Sequence, residues 1–591
     1  MKTLRRISSL LAARSLVRTT ALLMACGGLA LHAQNALDSA PGAPTATLTN
    51  DPSNPTPPPP AAPPAAPQLT APSEADGPSL LTNSDFSIVG KNADFPADWG
   101  HGAPNVTWET ENGFHFLRLV QTEPDKMLMA YREMPIPPGT KGLKITIRFR
   151  TDKIVHGATN WKDARAIFHF LGADKKQIKP EPGAIVFKGN TWTEKSVSCV
   201  VPEGAVTLQL MPSIFMAKSG TLDLAEVRVT ALDDTAVESI ATANAAKNKK
   251  AADRAAIISE QEKLPAKTSE LKVLGNKLVT ADGKEVWLQG VNVVPLGWSP
   301  NGENGIPWSI YVATHDWHAN VIRLPVMDSF WFGRGRGTET ANDKEAYRAI
   351  VDQAVKIAAA NGAYIVLDLH RFLTPDDSCV EFWKDAAARY KDNPAVLFDL
   401  FNEPHGTSWE VWQKGGPIEL KEKDGSKKTV QGVGMQALID AVRSTGAKNI
   451  VVCGGLAYAY DLTGITKGFA LDDKGGNGIM YATHFYNWHK GWREHFMAVA
   501  EKYPILIGET GADVNKMGFI PLKDQEDPST WVPDAIGFIQ KNKLNWTAWS
   551  FNTGATPAML IKADEITPNS YWGQPVKEAL AGKQYDMQKE R

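Results

Sequence analysis

From about residue 269 to 585 one unit recurs: a helical stretch that ends at glycine, followed by a short run of aliphatic and β-branched residues. Tyr347, Ile350, Val351, Ala354, Ile357 and Ala358 fall at helical spacing, Asn361-Gly362 ends that helix, and Tyr364-Ile-Val-Leu-Asp368 begins a strand. The unit returns at Ala441-Val442 with Gly446 before Asn449-Ile-Val-Val452, and again at Ala535-Ile-Gly-Phe-Ile539 before Trp546-Thr-Ala-Trp549. Strands separated by helical crossovers must pair in parallel, which restricts this region to the α/β class. Roughly eight such units in a segment of this length predict a (β/α)8 TIM barrel. No repeat is visible at the level of residue identity.

The predicted strand ends carry polar residues. The first, Leu288-Gln289-Gly290-Val291-Asn292, leads to Trp298; the second, Asn320-Val321-Ile322, ends at Arg323; the third ends at His370. The fourth, Ala395-Val396-Leu397-Phe398, runs into Asn402-Glu403-Pro404-His405, with Pro404 expected to stop the ladder. The fifth is Ile450 to Cys453, the sixth ends at His484-Phe485-Tyr486, the seventh in Gly508-Glu509-Thr510-Gly511, and the eighth at Trp549. One polar strand end means little; the series gathers ionisable groups at the barrel mouth, where such folds carry their chemistry. Two glutamates on two parallel strands suit the carboxyl pair that cleaves glycosidic bonds.

The rest of the 591-residue chain reads as further domains. Residues 1–33 have the form of an export signal: Lys2, Arg5, Arg6, Arg14 and Arg18, an apolar run Ala21–Leu31 too short to span a bilayer, and a cleavage site at Leu31-His32-Ala33. Arg5-Arg6 hints at twin-arginine export and Leu23-Met24-Ala25-Cys26 at a lipoprotein site; ordinary cleavage ranks above both. Residues 34–78, with Pro55-Thr56-Pro57-Pro58-Pro59-Pro60, are an extended linker.

Residues 79–234 alternate apolar and polar positions, as in Gly142–Arg150, Gly204–Leu210 and Thr221–Val229, and predict an antiparallel sandwich. Residues 235–268 form a thinly amphipathic helical linker ahead of the barrel at 269–585. The formal charge of −2 argues against a nucleic-acid partner, and no later segment is apolar enough to span a membrane. Four cysteines without a CxxC or His/Cys cluster suggest neither a disulfide framework nor a metal site.

The barrel set, with Asn402-Glu403-Pro404-His405, His484-x-Tyr486 and Gly508-Glu509-x-Gly511 in order, resembles glycoside hydrolase family 5, whose catalytic carboxylates lie on strands four and seven. The stretch Phe382-Trp383 to Pro394 is similar to that family too. The resemblance implies Glu403 as acid/base and Glu509 as nucleophile, with retention and carboxyls about 5–5.5 Å apart. It implies that Asn402 holds a sugar 2-hydroxyl, that Arg323 and Tyr486 bond the nucleophile, that His370 and His484 line the site and that Trp549 floors the subsite of the cleaved sugar. Trp298, Trp308, Trp488 and His405 are further substrate-contact candidates, each weighed against simple packing. Asp368 reads as structural. Thr510 departs from the aromatic that many members carry there, and the insertions at 372–380 and 414–432 shape a cleft whose preference is not readable.

The sandwich resembles jelly-roll carbohydrate-binding modules, from Leu81-Thr-Asn-Ser-Asp-Phe86 and Phe95-Pro-Ala-Asp-Trp99 to the strand around Asp223. Trp108, Tyr131 and Trp161 are its sugar-platform candidates, and Asp85 with Asp223 the candidates for a structural calcium; no other cofactor is expected. The resemblance as a whole implies an exported, secreted or periplasmic, retaining endo-β-1,4-glucanase acting on polysaccharide. A mannanase or other β-glycan hydrolase, or a non-catalytic glycan-binding protein, are the alternatives. Oligomeric state is not legible.

Overall fold

In a computed structural model the structure describes residues 78–91, 94–101, 103–157, 162–335, 343–421 and 425–591. The expected leader, nearly all of the Pro-rich linker and Trp161 lie outside the described residues. The chain divides into two compact units, residues 67–514 with 526–591, and residues 1–66 with 515–525. Of the second unit only 515–525 is described; there the Gln525 side chain bonds the backbone of Met517 and Ile520.

The larger unit opens with two antiparallel sheets. One runs in the order Gly100–His101, Met127–Pro135, Thr207–Phe215, Ala164–Leu171, Gln177–Ile178, with Ile185–Val186 also on Ala164–Leu171. The other runs Val106–Glu111, Phe114–Gln121, Ser219–Ala231, Gly142–Val155, Thr193–Val200. Alternate residues of both sheets turn inward, so Leu128, Phe168, Phe170, Leu208 and Leu210 share one core with Leu117, Leu119, Ile145, Ile147 and Leu222. Trp108 belongs to the packing: its indole N–H donates to Phe86 O at 3.1 Å and its ring stacks on His115. Asp223 accepts from Arg118 at 2.8 Å and from Arg150 at 2.7 Å, while Asp85 accepts from Ser87.

Helix Asp234–Gln261 starts at Asp233, whose carboxylate accepts from Ala236 N at 2.7 Å. Its apolar stripe is thin and Ile258 is its one buried residue. Arg254 lies 4.8 Å from the Trp308 ring, and Asn361 bonds Gln261. Trp308 is therefore part of the helical wall in Ile306–His315, not of a mouth loop.

Eight parallel strands then close a barrel: β1 (Gln289–Asn292), β2 (Val321–Val326), β3 (Tyr364–Leu369), β4 (Val396–Asp399), β5 (Val451–Gly454), β6 (Ile479–Tyr486), β7 (Ile505–Gly511) and β8 (Asn545–Ala548). Helices follow most strands, but the β5–β6 crossover holds only a 3-10 turn, Ile465–Lys467. Outward residues such as Ile322, Leu324, Ile365, Leu367 and Phe398 pack under the helices. Inward residues change character along the axis. Leu288, Val321, Val366, Leu397, Val452, Met480 and Leu506 fill the lower interior, which Leu271 and Leu278 of a short hairpin plug from below. One pleat higher the axis is polar: Arg323, Asp368, Asp399 and His484.

Two boundaries differ from the sequence reading. β2 does not end at Arg323 but continues to Val326, which puts Arg323 inside the barrel. Pro404 does not end all pairing, because Glu403–Pro404 forms a short parallel ladder with Phe372–Leu373, above the barrel rim.

Candidate active site

Arg323 is the hub. It is fully buried, a state a guanidinium reaches only when its donors are matched by acceptors. Its Nε donates to Asp399 at 2.8 Å, and Nη1 donates to Glu509 at 2.8 Å and to Asn292 at 3.1 Å. Nη2 donates to Asn402 Oδ1 at 2.8 Å and stands 3.1 Å from Asp368. Three carboxylates thus face one cation. Burial pushes the Asp399 carboxyl up to about 8 against the pull of Arg323, and Asp368 and Glu509 add to the rise.

Glu509 lies buried near the end of β7. Besides Arg323 it accepts from the Tyr486 hydroxyl at 2.5 Å. Burial, with the charges of Glu509 and Glu403, holds the Tyr486 phenol well above its ordinary range, so it acts as a donor. Glu403 stands across the axis. Burial and the negative charge of Glu509 raise its carboxyl well above the ordinary value, the condition for a proton donor.

His484 bridges the pair: Nδ1 lies 3.1 Å from Glu403 and 3.7 Å from Glu509. Burial, then the positive charge of Arg323, drives its pKa well down, so the ring is neutral. Glycine at 508 makes room for it, since a Cβ there would stand 2.8 Å from His484 Nε2. One ligand atom from each of Glu403, His484 and Glu509 lies within 4.8 Å of the other two. Among the described residues, this is the one group of three or more such side chains that converges closely enough to hold a metal ion.

The walls are aromatic. His370 accepts its place from Asp368, Nδ1 to Oδ2 at 2.7 Å, and stacks on Trp549 with a 10° interplanar angle. Tyr486 stacks on Trp488 at 4.7 Å. Trp298 is 43% exposed, and its indole N–H donates to Glu303. His405 stacks on Tyr458 at 3.9 Å, and its Nδ1 lies 3.0 Å from the Glu403 carbonyl oxygen. Several buried polar atoms here make no hydrogen bond within the protein: Asp368 Oδ1, Asp399 Oδ1, Asn402 Nδ2, His484 Nε2 and Thr510 Oγ1.

Of the residues singled out in the sequence, Glu403, Glu509, Arg323, Asn402, His484 and Tyr486 come together in one network, and His370 and Trp549 form one wall. Sequence reasoning missed Asn292, Asp399, Phe372 and Tyr458, and took Asp368 as merely structural. Asp368 is fully buried, bonds His370 through Oδ2 and stands 3.1 Å from Arg323 as an ion pair. Its signal, like that of Asp399, was a carboxylate inside an apolar strand, which demands a buried partner. Phe372 is 44% exposed, edge-on to His370. Tyr458 is 47% exposed within Ala457-Tyr458-Ala459, three successive residues with φ of 55°, 60° and 61°. Left-handed backbone without glycine is costly and clusters at functional sites.

The sequence of residues 279–555 matches the family Cellulase (glycosyl hydrolase family 5). Endoglucanase A of Butyrivibrio fibrisolvens is 29% identical over 41% of this chain, and the match spans about half, 52%, of that enzyme. Cellulase CelDZ1 of Thermoanaerobacterium sp is 24% identical over 52% of this chain and 78% of its own length. Among solved structures, a beta-glucanase from Saccharophagus degradans is similar over 54% of this chain and 94% of its own, at 24% identity and a TM-score of 0.44.

Proposed function

Residues 279–555 are a glycosyl hydrolase family 5 domain, and from that premise we propose that this chain is a retaining endo-β-1,4-glucanase. Glu403 protonates the leaving glycosidic oxygen while Glu509 attacks the anomeric carbon. The bond to the leaving sugar breaks, and a covalent glycosyl–Glu509 ester forms. Glu403, now a carboxylate, takes a proton from water, which opens the ester and restores both groups. Arg323 and Tyr486 hold Glu509 at the angle of attack. Neutral His484 accepts or donates at Glu403 without adding a charge. Asn402 offers its unpaired Nδ2 to the sugar 2-hydroxyl, and Trp549, backed by His370, floors the ring.

The observation that carries this reading is the Glu403–Glu509 pair, its reactive atoms within 4.8 Å and its two members in different surroundings, one against a neutral imidazole and the other against a guanidinium and a phenol. The names of the related proteins, an endoglucanase and a cellulase, support glucan as the polymer. The basic, apolar leader read in residues 1–33 supports export, and the sandwich is proposed to hold the polymer beside the barrel. No helix among the described residues is long and apolar enough to cross a membrane.

Reducing-sugar release from carboxymethylcellulose, mixed-linkage β-glucan, xyloglucan and glucomannan tests the assignment. Release from the β-glucans, lost in Glu509→Gln, is the expected result. Release from glucomannan alone moves the assignment to a mannanase. No release by folded protein overturns it.

A further inference from the structure

The two carboxyls assigned to the chemistry are held in different ways. Glu509 lies within β7, and its side chain is fixed by Arg323 at 2.8 Å and by the Tyr486 hydroxyl. Glu403 lacks such a frame. β4 ends at Asp399, before Glu403 is reached. Among the described residues the Glu403 carboxylate has one hydrogen-bond partner, His484 Nδ1 at 3.1 Å. Its place therefore depends on its backbone. That backbone hangs on a strap, residues 371–373, that leaves the end of β3. Glu403 N donates to Arg371 O at 3.2 Å, and His405 N donates to Leu373 O at 2.9 Å.

The strap is strained and clamped. Leu373 has a φ of 82°, in the left-handed region that a leucine enters only at a cost. Such a conformation persists where its surroundings over-determine it. The Arg371 side chain supplies the clamp. Its Nη1 donates to Asp328 at 2.6 Å and to Ser378 Oγ at 3.2 Å, and its Nη2 donates to Asp376 at 2.9 Å. Ser378 Oγ also donates to Asp328 at 3.1 Å. Asp328 opens the short helix after β2, and Asp376 caps the helix Asp377–Tyr390. One guanidinium thus ties the strap to the segments on either side of it, through charge-assisted bonds, the stronger kind. Past the strap, Val433 N donates to Pro375 O at 2.9 Å and fixes the far end.

We propose that Arg371 is a positioning residue for the acid/base: its ties to Asp328 and Asp376 hold residues 371–373, and that strap sets the Glu403 carboxyl where it reaches the leaving oxygen. The inference rests on the assignment of Glu403 as acid/base and adds the device that aims it. Arg371 acts through the backbone of its own strap. A general acid must stand within hydrogen-bond reach of the atom it protonates, and a small displacement is enough to lose that reach.

The measurement is kcat/KM on two aryl β-cellobiosides, which reports formation of the glycosyl–Glu509 ester. A 2,4-dinitrophenolate leaves without a proton, whereas an unsubstituted phenol takes the Glu403 proton as it departs. Arg371→Met should lower kcat/KM by about 10²-fold for the phenyl compound and by less than about threefold for the dinitrophenyl compound. Glu403→Ala should show the same bias more strongly, and Arg371→Lys, which keeps the charge, should lose less than Arg371→Met. Asp376→Asn keeps an oxygen for the helix cap and should show a weaker bias in the same direction. It keeps the test open if thermal unfolding shows that Arg371→Met does not fold. Equal losses on the two substrates, or no loss, in the folded variants overturn the inference and leave the hydrolase assignment standing. A parent protein that splits neither compound overturns the hydrolase assignment and the inference with it.

Discussion

Two arginine–carboxylate clusters, one in each domain, show how differently the same chemistry is used. In the sandwich, Arg150 bonds Asp223 at 2.7 Å and Glu111 at 2.5 Å and lies 4.4 Å from the Trp192 ring. It sits on the outer face of a sheet, 23% exposed, with Arg118 completing the partners of Asp223. No buried side-chain polar atom of that cluster lacks a hydrogen bond. In the barrel, Arg323 is fully buried among Asp368, Asp399 and Glu509, yet unbonded polar atoms remain around it on Asp368, Asp399, Asn402 and His484. Buried polar atoms are costly when unmatched. A closed cluster stabilises a sheet; an open one, held in place by a costly buried charge, is arranged for a group that comes from outside.

Breaking the open cluster at the carboxyl proposed as nucleophile gives the largest effect. Glu509→Gln should cut turnover of mixed-linkage β-glucan by at least about 10³-fold with the fold intact by circular dichroism. The hub comes next. Arg323→Met strands three buried carboxylates, and chemical unfolding should show a loss of about 3–5 kcal/mol. Arg150→Met removes the hub of the part-exposed cluster and should cost about 1 kcal/mol, with soluble-substrate kinetics unchanged. Equal losses in the two variants would erase the distinction.

The proton on Glu403 sharpens it further. A carboxyl raised by burial and by Glu509 keeps its proton in the folded chain where the unfolded chain has released it. Its contribution to stability is therefore complete below the ordinary value of 4.5 and is lost as pH rises through the raised value. Thermal unfolding of Glu403→Gln should match the parent near pH 4.5 and exceed it increasingly at higher pH. The alkaline fall of kcat/KM in the parent should follow the same titration. The smallest effect belongs to Asp368→Asn, which leaves His370 without its carboxylate partner. It should lower kcat by about tenfold, with KM little changed. A change confined to stability would make Asp368 structural after all.

Much of this was legible in the sequence. Strand–helix alternation gave the barrel, and carboxylates at the ends of two apolar runs picked out Glu403 and Glu509, whose side chains converge in the structure. Asp368 and Asp399 were harder, because both faces of a barrel strand are buried. Period-two patterning then cannot tell the axis side from the helix side. Arg323 was assigned to a strand end for the same reason: Leu324-Pro325-Val326 carries no marker that the strand goes on, and Pro325 argues against it. Trp298 and Trp308 each precede a serine in a short Gly/Pro-containing stretch; the helix Ile306–His315 and the docking of Arg254 put Trp308 in the wall, whereas Trp298 stays exposed. Tyr458 had no signal at all, since its left-handed turn contains no glycine at 457–459.

The most direct test is to trap the covalent intermediate. The protein is incubated with an activated 2-deoxy-2-fluoro-β-cellobioside, digested, and its peptides read by mass spectrometry. A single adduct on Glu509, absent from Glu509→Gln, is the predicted result. An adduct on Glu403, or an unlabelled protein that still cleaves β-glucan, would contradict the assignment of the two carboxyls.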